Sequence, residues 1–172
     1  MTPVKSRYIQ YYVEGEDEEK LIDVLKNRLR VIKSGKVQKL NVVTQKITDM
    51  RLRTLTYGTM VVLVFDTDRG DVDILKKNIE ILKGCSSVSE IVQIPQVPNL
   101  ERELIRSCNI KKIEELLNSK SRTEFKSDLI RVTNLDKKLR DHQFNIDRFW
   151  CGKPKPPYQD IENQAARVKI AK

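Results

Sequence analysis

The sequence predicts an α/β protein: about four strands in a mostly parallel sheet, helices on both faces, and a C-terminal helical extension. Three observations predict it. The continuous apolar run Met60–Phe65 has the composition of a strand buried on both faces. Runs with helical spacing alternate with short aromatic or β-branched runs in the order β-α-β-(α)-β-α-β-α, and that alternation makes neighbouring strands parallel. From Asn99 onward the apolar spacing is helical.

The first strand is expected at Arg7–Val13 (RYIQYYV) and ends at Glu14-Gly15. Residues 17–32 place Leu21, Val24, Leu25, Leu29 and Ile32 on one helical face, with acidic groups in the first turn and basic ones later. KSGK breaks that helix, Leu40–Thr44 (LNVVT) reads as the second strand, and Thr48–Leu55 as a helical or irregular connection. Met60–Phe65, bounded by Gly58 and Asp66, is the third strand. Residues 71–83 form an amphipathic helix through Val72, Leu75, Ile79 and Leu82, stopped by Gly84. Glu90–Ile94 is the fourth strand, closed by Pro95 and Pro98. Asn99 then caps LERELIRSC, followed by helical IKKIEELLNS, SRTEFKSDLIRV and LDKKLRDHQF. GKPKPPYQD interrupts regular structure, and the last dozen residues read as a short helix or a disordered tail. The expected division is residues 1–107 as the α/β part and 108–172 as a basic helical extension, with Phe149 and Trp150 packing one on the other.

Composition excludes several classes of function. With 39% hydrophobic and 33% charged residues, the chain has a globular balance. No apolar run approaches the ~18–20 residues that span a bilayer, so no membrane partner is expected. Acidic residues arrive before any signal-peptide core could form, so no signal peptide is expected. Cys85, Cys108 and Cys151 lie far apart, which speaks against a disulfide scaffold or zinc knuckle and for a reducing cytoplasm. The one histidine, His142, sits in polar RDHQF and reads as solvent-exposed. Chemistry is therefore expected to run on carboxylates.

The net charge of +9 is unevenly distributed. Residues 1–25 carry three basic and six acidic groups, and residues 58–107 carry six and eight. Residues 26–57 carry nine basic groups against Asp49 alone, and residues 108–172 carry fifteen against nine. A polyanion held by the basic segments, with a cation among the acidic clusters, fits that alternation.

The acidic groups fall at strand ends, where open parallel sheets gather their functional side chains. Glu14 ends the first strand; Asp66 and Asp68 end the third. In an extended chain Asp66 and Asp68 leave one face about 6–7 Å apart. Such a pair suits Mg²⁺, which takes one or two carboxylates and completes its shell with water and substrate phosphate. Glu18, one helical turn beyond Glu14, points back to the same cleft.

Val13-Glu14-Gly15 followed by the apolar run into Asp66-Thr67-Asp68 resembles the Toprim domain of topoisomerases, bacterial primases, OLD-family nucleases, ribosomal RNA maturases and RloB-like defence proteins. The resemblance covers residues 7–107. It implies that Glu14 is a general acid or base and that Asp66 and Asp68 hold Mg²⁺, with Mn²⁺ able to substitute. Glu14-x-x-x-Glu18 is similar to the extra acidic position of two-metal OLD-type nucleases, and Asn99-x-Glu101 to the segment after the last strand, which makes Glu101 a further implied ligand. Arg69 departs from the third acidic position of the Asp-x-Asp-x-Glu/Asp pattern; Asp71 or Asp73 would have to substitute.

The chain holds no room for topoisomerase strand-passage domains, shows no primase zinc module, and has no GxxxxGK[ST] loop, so any ATPase would be a separate partner. The expectation is a small Mg²⁺-dependent nuclease of DNA or RNA, possible roles being phage defence with such an ATPase or ribosomal RNA processing. Lys36, Lys39, Lys46, Arg51 and Arg53 are expected to track the backbone, and Arg69 to meet the phosphate. The alternatives are a non-catalytic module binding nucleic acid or an ATPase, and a primase-like nucleotidyl transferase. Oligomeric state is left open.

Overall fold

A computed structural model describes Ser6 and Tyr8–Ile170. Four strands, β1 (Tyr8–Val13), β2 (Lys36–Lys39), β3 (Thr59–Asp66) and β4 (Val88–Gln96), form one sheet in the order β2-β1-β3-β4. Every pairing is parallel. The helices are α1 (Glu16–Asn27), α2 (Asp49–Arg53), α3 (Asp73–Lys83), α4 (Leu100–Ser107), α5 (Glu114–Leu117), α6 (Arg122–Arg131) and α7 (Leu135–Asp141). The fold is α/β with helices on both faces, consistent with a Toprim-like core.

Alternation along the central strands builds the two cores. Met60, Val62 and Val64 of β3 face α1 and the helices after β4, while Val61, Leu63 and Phe65 face α3. All are buried, as the unbroken apolar run requires. Among the described residues no helix is long and apolar enough to cross a membrane.

Four expectations need correcting. The second strand is Lys36–Lys39, not Leu40–Thr44. It lies at the sheet edge, where charged side chains are tolerated, and it follows directly on Gly35. A Cβ on Gly35 would lie 2.5 Å from the Ile9 carbonyl oxygen, so the chain can approach β1 only with glycine there. Leu40, Val42 and Val43 are buried in the loop that follows. Fully buried Asn78 of α3 holds that loop: its amide donates to the carbonyls of Val42 and Gln45 and its oxygen accepts from the Ile47 N–H, at 2.7–2.8 Å.

Secondly, α1 stops at Asn27 rather than 32. Arg30 turns left-handed (φ 56°), and Val31 and Ile32 reach the core from a loop that bridges to Lys169. Thirdly, β4 runs through Pro95 to Gln96, with Pro95 opposite Phe65. An edge strand accommodates a residue that cannot donate a ladder hydrogen bond. Finally, His142 is half-buried at the end of α7, its carbonyl accepting the Asn109 N–H at 2.7 Å.

Beyond α7 the chain packs mostly without regular structure. Phe149, Trp150, Tyr158, Ile161, Ala165 and Val168 are buried, and the last regular piece is a 3-10 turn at Ala165–Arg167. Tyr158 stacks on Phe65 with ring centres 6.2 Å apart. Lys33 donates to Val168 and Ile170 to Val31 through the backbone, holding this segment against the turn after α1.

Candidate metal centre

Because β1 and β3 are adjacent and parallel, with Tyr12 beside Leu63, the residues that follow them emerge at one edge. Glu14 leaves β1, Asp66 closes β3, and Glu18 projects from the first turn of α1. One carboxylate oxygen from each lies within 4.8 Å of the others. Glu18 is buried and accepts the Gly15 N–H at 3.1 Å, which fixes it over the end of β1. Asp66 and Glu14 are half-buried.

Three carboxylates cannot all ionise this close together out of water. Burial is the largest influence on Asp66, and its hydrogen bond with Glu14 and the charges of Glu14 and Glu18 add to it; its carboxyl is pushed up to about 10. Glu18 is raised to about 9, again first by burial, then by Asp17 and Glu14. The hydrogen bond from Gln96 opposes the rise at Asp66 without overcoming it.

Gln96 belongs to a buried network that ties this edge to the C-terminal segment. Its Nε2 donates to Asp66 Oδ1 at 2.8 Å, and its Oε1 accepts the Trp150 indole N–H at 3.1 Å. An indole can only donate, so it holds the amide oxygen towards itself and turns the NH₂ to Asp66. Trp150 is in turn fixed by Glu103, a fully buried carboxylate that accepts the Trp150 N–H at 3.1 Å, the Val97 N–H at 2.9 Å and the Arg106 guanidinium at 2.5 Å. The Trp150 backbone is left-handed (φ 56°), a conformation that costs a bulky residue on the order of 1–3 kcal/mol and persists only where surroundings impose it.

Asp68 lies outside the three-carboxylate group. The strand ends at Asp66; the Thr67 N–H then donates to the carbonyls of Gln96 (3.1 Å) and Pro98 (2.8 Å), bending the chain onto β4 before Asp68 can share the face. Asp68 is exposed and stands near Tyr158, whose phenol is raised by burial and then by the charges of Asp68 and Glu14. Arg69 is exposed beside it. Asp71 accepts the Asp73 N–H at 2.8 Å, a local turn at the start of α3. Glu101 is also outside the group: it is buried in the first turn of α4, 3.6 Å from Lys126 of α6.

The basic residues expected to track a backbone are split. Lys39 stands at the carboxylate end of β2 and pairs with Glu16 at 3.4 Å; Arg51, half-buried in α2, lies 3.4 Å from the Lys39 carbonyl. Lys46 and Arg53 are exposed, and the residues that follow Arg53 line the pocket at the strand starts. Lys36 lies at the opposite end of the sheet, lining a pocket of about 330 Å³ with Tyr8 and Thr59 at the strand starts.

Compared with protein-family models, with curated proteins and with solved structures, the chain finds no match. Sequence reasoning missed Gln96, Trp150 and Tyr158. The one sequence signal for Gln96 is a polar residue at the end of an apolar strand; its register opposite Asp66 exists only in the folded sheet.

Proposed function

We propose that the chain is a cytoplasmic, Mg²⁺-dependent nuclease that hydrolyses phosphodiester bonds of DNA or RNA. The observation that carries this reading is the Glu14–Glu18–Asp66 group at the carboxyl edge of the sheet. Its donors are all carboxylate oxygens, which suits Mg²⁺ or Mn²⁺ over softer metals. Burial and mutual repulsion leave Asp66 and Glu18 holding protons, a cost that a divalent cation relieves. The group therefore fits the ion.

Glu14, Glu18 and Asp66 would hold the metal, and Asp68, exposed just beyond the strand end, would add negative charge to the same edge. A Mg²⁺ ion held there would supply charge neutralisation for the phosphate oxygens and a lowered pKa for water. Gln96 keeps Asp66 oriented. Glu14, half-exposed, takes the proton of the attacking water or returns one to the leaving oxygen. Arg69, beside this edge, pairs with the phosphate.

Purified protein incubated with Mg²⁺ or Mn²⁺ and single-stranded DNA, duplex DNA or structured RNA tests the reading. Cleavage that disappears with EDTA, with Glu14→Gln and with Asp66→Asn supports it. Activity that survives either substitution sinks it. Salt-sensitive binding in EDTA with no cleavage of any substrate would identify a binding module, and template-dependent nucleotide incorporation a primase-like enzyme.

A further inference from the structure

We propose that the pocket enclosed by α4, α5 and α6 is a phosphate-binding subsite that holds the backbone of a nucleic acid beside the carboxylate edge. The proposal shares the polyanionic ligand of the nuclease reading and is independent of cleavage.

The pocket, about 250 Å³, is lined by Arg102 of α4, Lys111 and Lys112 of the α4–α5 connection, and Arg122 of α6, with Asn99 and Glu101 at its base. Among the described residues, none of these four cations has a carboxylate within 4.0 Å. Four cations thus face one space with no ion-pair partner of their own among the described residues.

Nearby carboxylates are otherwise engaged. Glu101, implied by sequence to be a metal ligand, faces Lys126 instead. Glu115 accepts the backbone N–H groups of Lys111 and Lys112 at 2.5 and 3.1 Å, which lowers its pKa. Glu101 and Glu114 are the two carboxylates in the lining against four positive charges, which leaves the pocket net positive. The positive end of the α4 dipole adds to the same field.

Position argues for a role beside the carboxylates. The Thr67 N–H, next to Asp66, bonds to Pro98, and Asn99 caps α4 immediately after it. From the other side, Lys20 of acidic α1 donates to the carbonyls of Ile130 (3.2 Å) and Val132 (2.6 Å), tying the end of α6 to the helix that carries Glu18. The helices that line the pocket are thus tied by hydrogen bonds to the end of β3 and to α1, which carry Asp66 and Glu18. Its volume falls below the ~300–1,000 Å³ of drug-sized ligand sites, enough for a phosphate with its sugar. No aromatic side chain lines it, so bases are not stacked there and recognition is of backbone rather than sequence.

The test is the triple variant K111Q/K112Q/R122Q, all exposed positions, in the full chain. A control, K76Q/K77Q, neutralises exposed cations of α3 on the other face. Anisotropy of a labelled single-stranded oligonucleotide, in EDTA and across a salt series, reads binding without cleavage. The triple variant should bind about 10–100-fold more weakly near 0.1 M salt, with a salt slope reduced by roughly 2, the release expected of three lost phosphate contacts. The control should match wild type. Wild-type affinity and slope in the triple variant overturn the proposal. It is equally overturned if inorganic phosphate raises the Tm of wild type but not of the variant while oligonucleotide binding is unchanged, because the pocket then takes a free phosphate. Asp66→Asn should leave this binding intact, so an inactive enzyme with a working pocket would refute only the nuclease reading.

Discussion

At Asp66 the chain is still strand: the carboxylate is half-buried, bonded by Gln96, and crowded by Glu14 and Glu18. From Asp68 onward it is an exposed loop, turned onto β4 by Thr67, with carboxylates that meet water or their own backbone. Adjacent segments of one acidic motif thus carry opposite environments. Depth and neighbours, rather than spacing in sequence, decide which carboxylates can act together.

The largest effect should separate those two segments directly. Asp66→Asn is expected to reduce cleavage by about 10³-fold or more, within the range of a lost catalytic group, whereas Asp68→Asn should cost about tenfold or less. Equal losses in a cleavage assay would erase the distinction.

The next contrast concerns what orients Asp66. Gln96→Leu should weaken Mn²⁺ binding about 10–100-fold, the usual cost of losing a group that positions a ligand. Trp150→Phe keeps an aromatic ring without the N–H and should act in the same direction more mildly. Calorimetric titration with Mn²⁺ reads both without requiring activity. Unchanged affinity in Gln96→Leu would reduce the buried network to packing.

Stability against pH gives a third test. Asp66 and Glu18 are raised to about 10 and 9 in the fold, above the ordinary carboxylate range, so between about pH 5 and 9 the native state holds protons that the unfolded chain has released. The metal-free protein should accordingly lose stability as pH rises through that window. In EDTA, its Tm should fall from pH 5 to 9, Asp66→Asn should flatten the fall, and Mg²⁺ should offset it. A flat profile in wild type contradicts the crowding described for this edge. The smallest effect is expected far from it: Lys36→Glu, at the strand starts, should change nucleic-acid affinity less than Lys39→Glu at the carboxylate end, by anisotropy in matched salt.

Much of this was legible before any coordinates. The Met60–Phe65 run announced a doubly covered strand, Glu14, Glu18 and Asp66 were expected together at one end of the sheet, and Asn99 caps α4 as its residue type suggests. Local signals misled where tertiary context won. Lys36–Lys39 has no apolar pattern because an edge strand needs none, and Leu40–Val43 has one because a buried loop does. Glu101 carried the right residue type at the right offset, yet its helix turns it to Lys126. Gln96 and Trp150 meet only through strand register and a long return of the chain, distances no sequence window spans.

That return has a consequence for synthesis. The strands and the three carboxylates have all been polymerised once Gln96 is added, but the indole that orients Gln96 belongs to Trp150. At ribosomal speeds of about 5–20 residues per second, the intervening stretch takes roughly 3–11 seconds to make. Until Trp150 is made, the hydrogen bond that orients Gln96 towards Asp66 cannot form. The complete Asp66–Gln96–Trp150 network is therefore a late event in the making of each molecule, set by the arrival of one tryptophan.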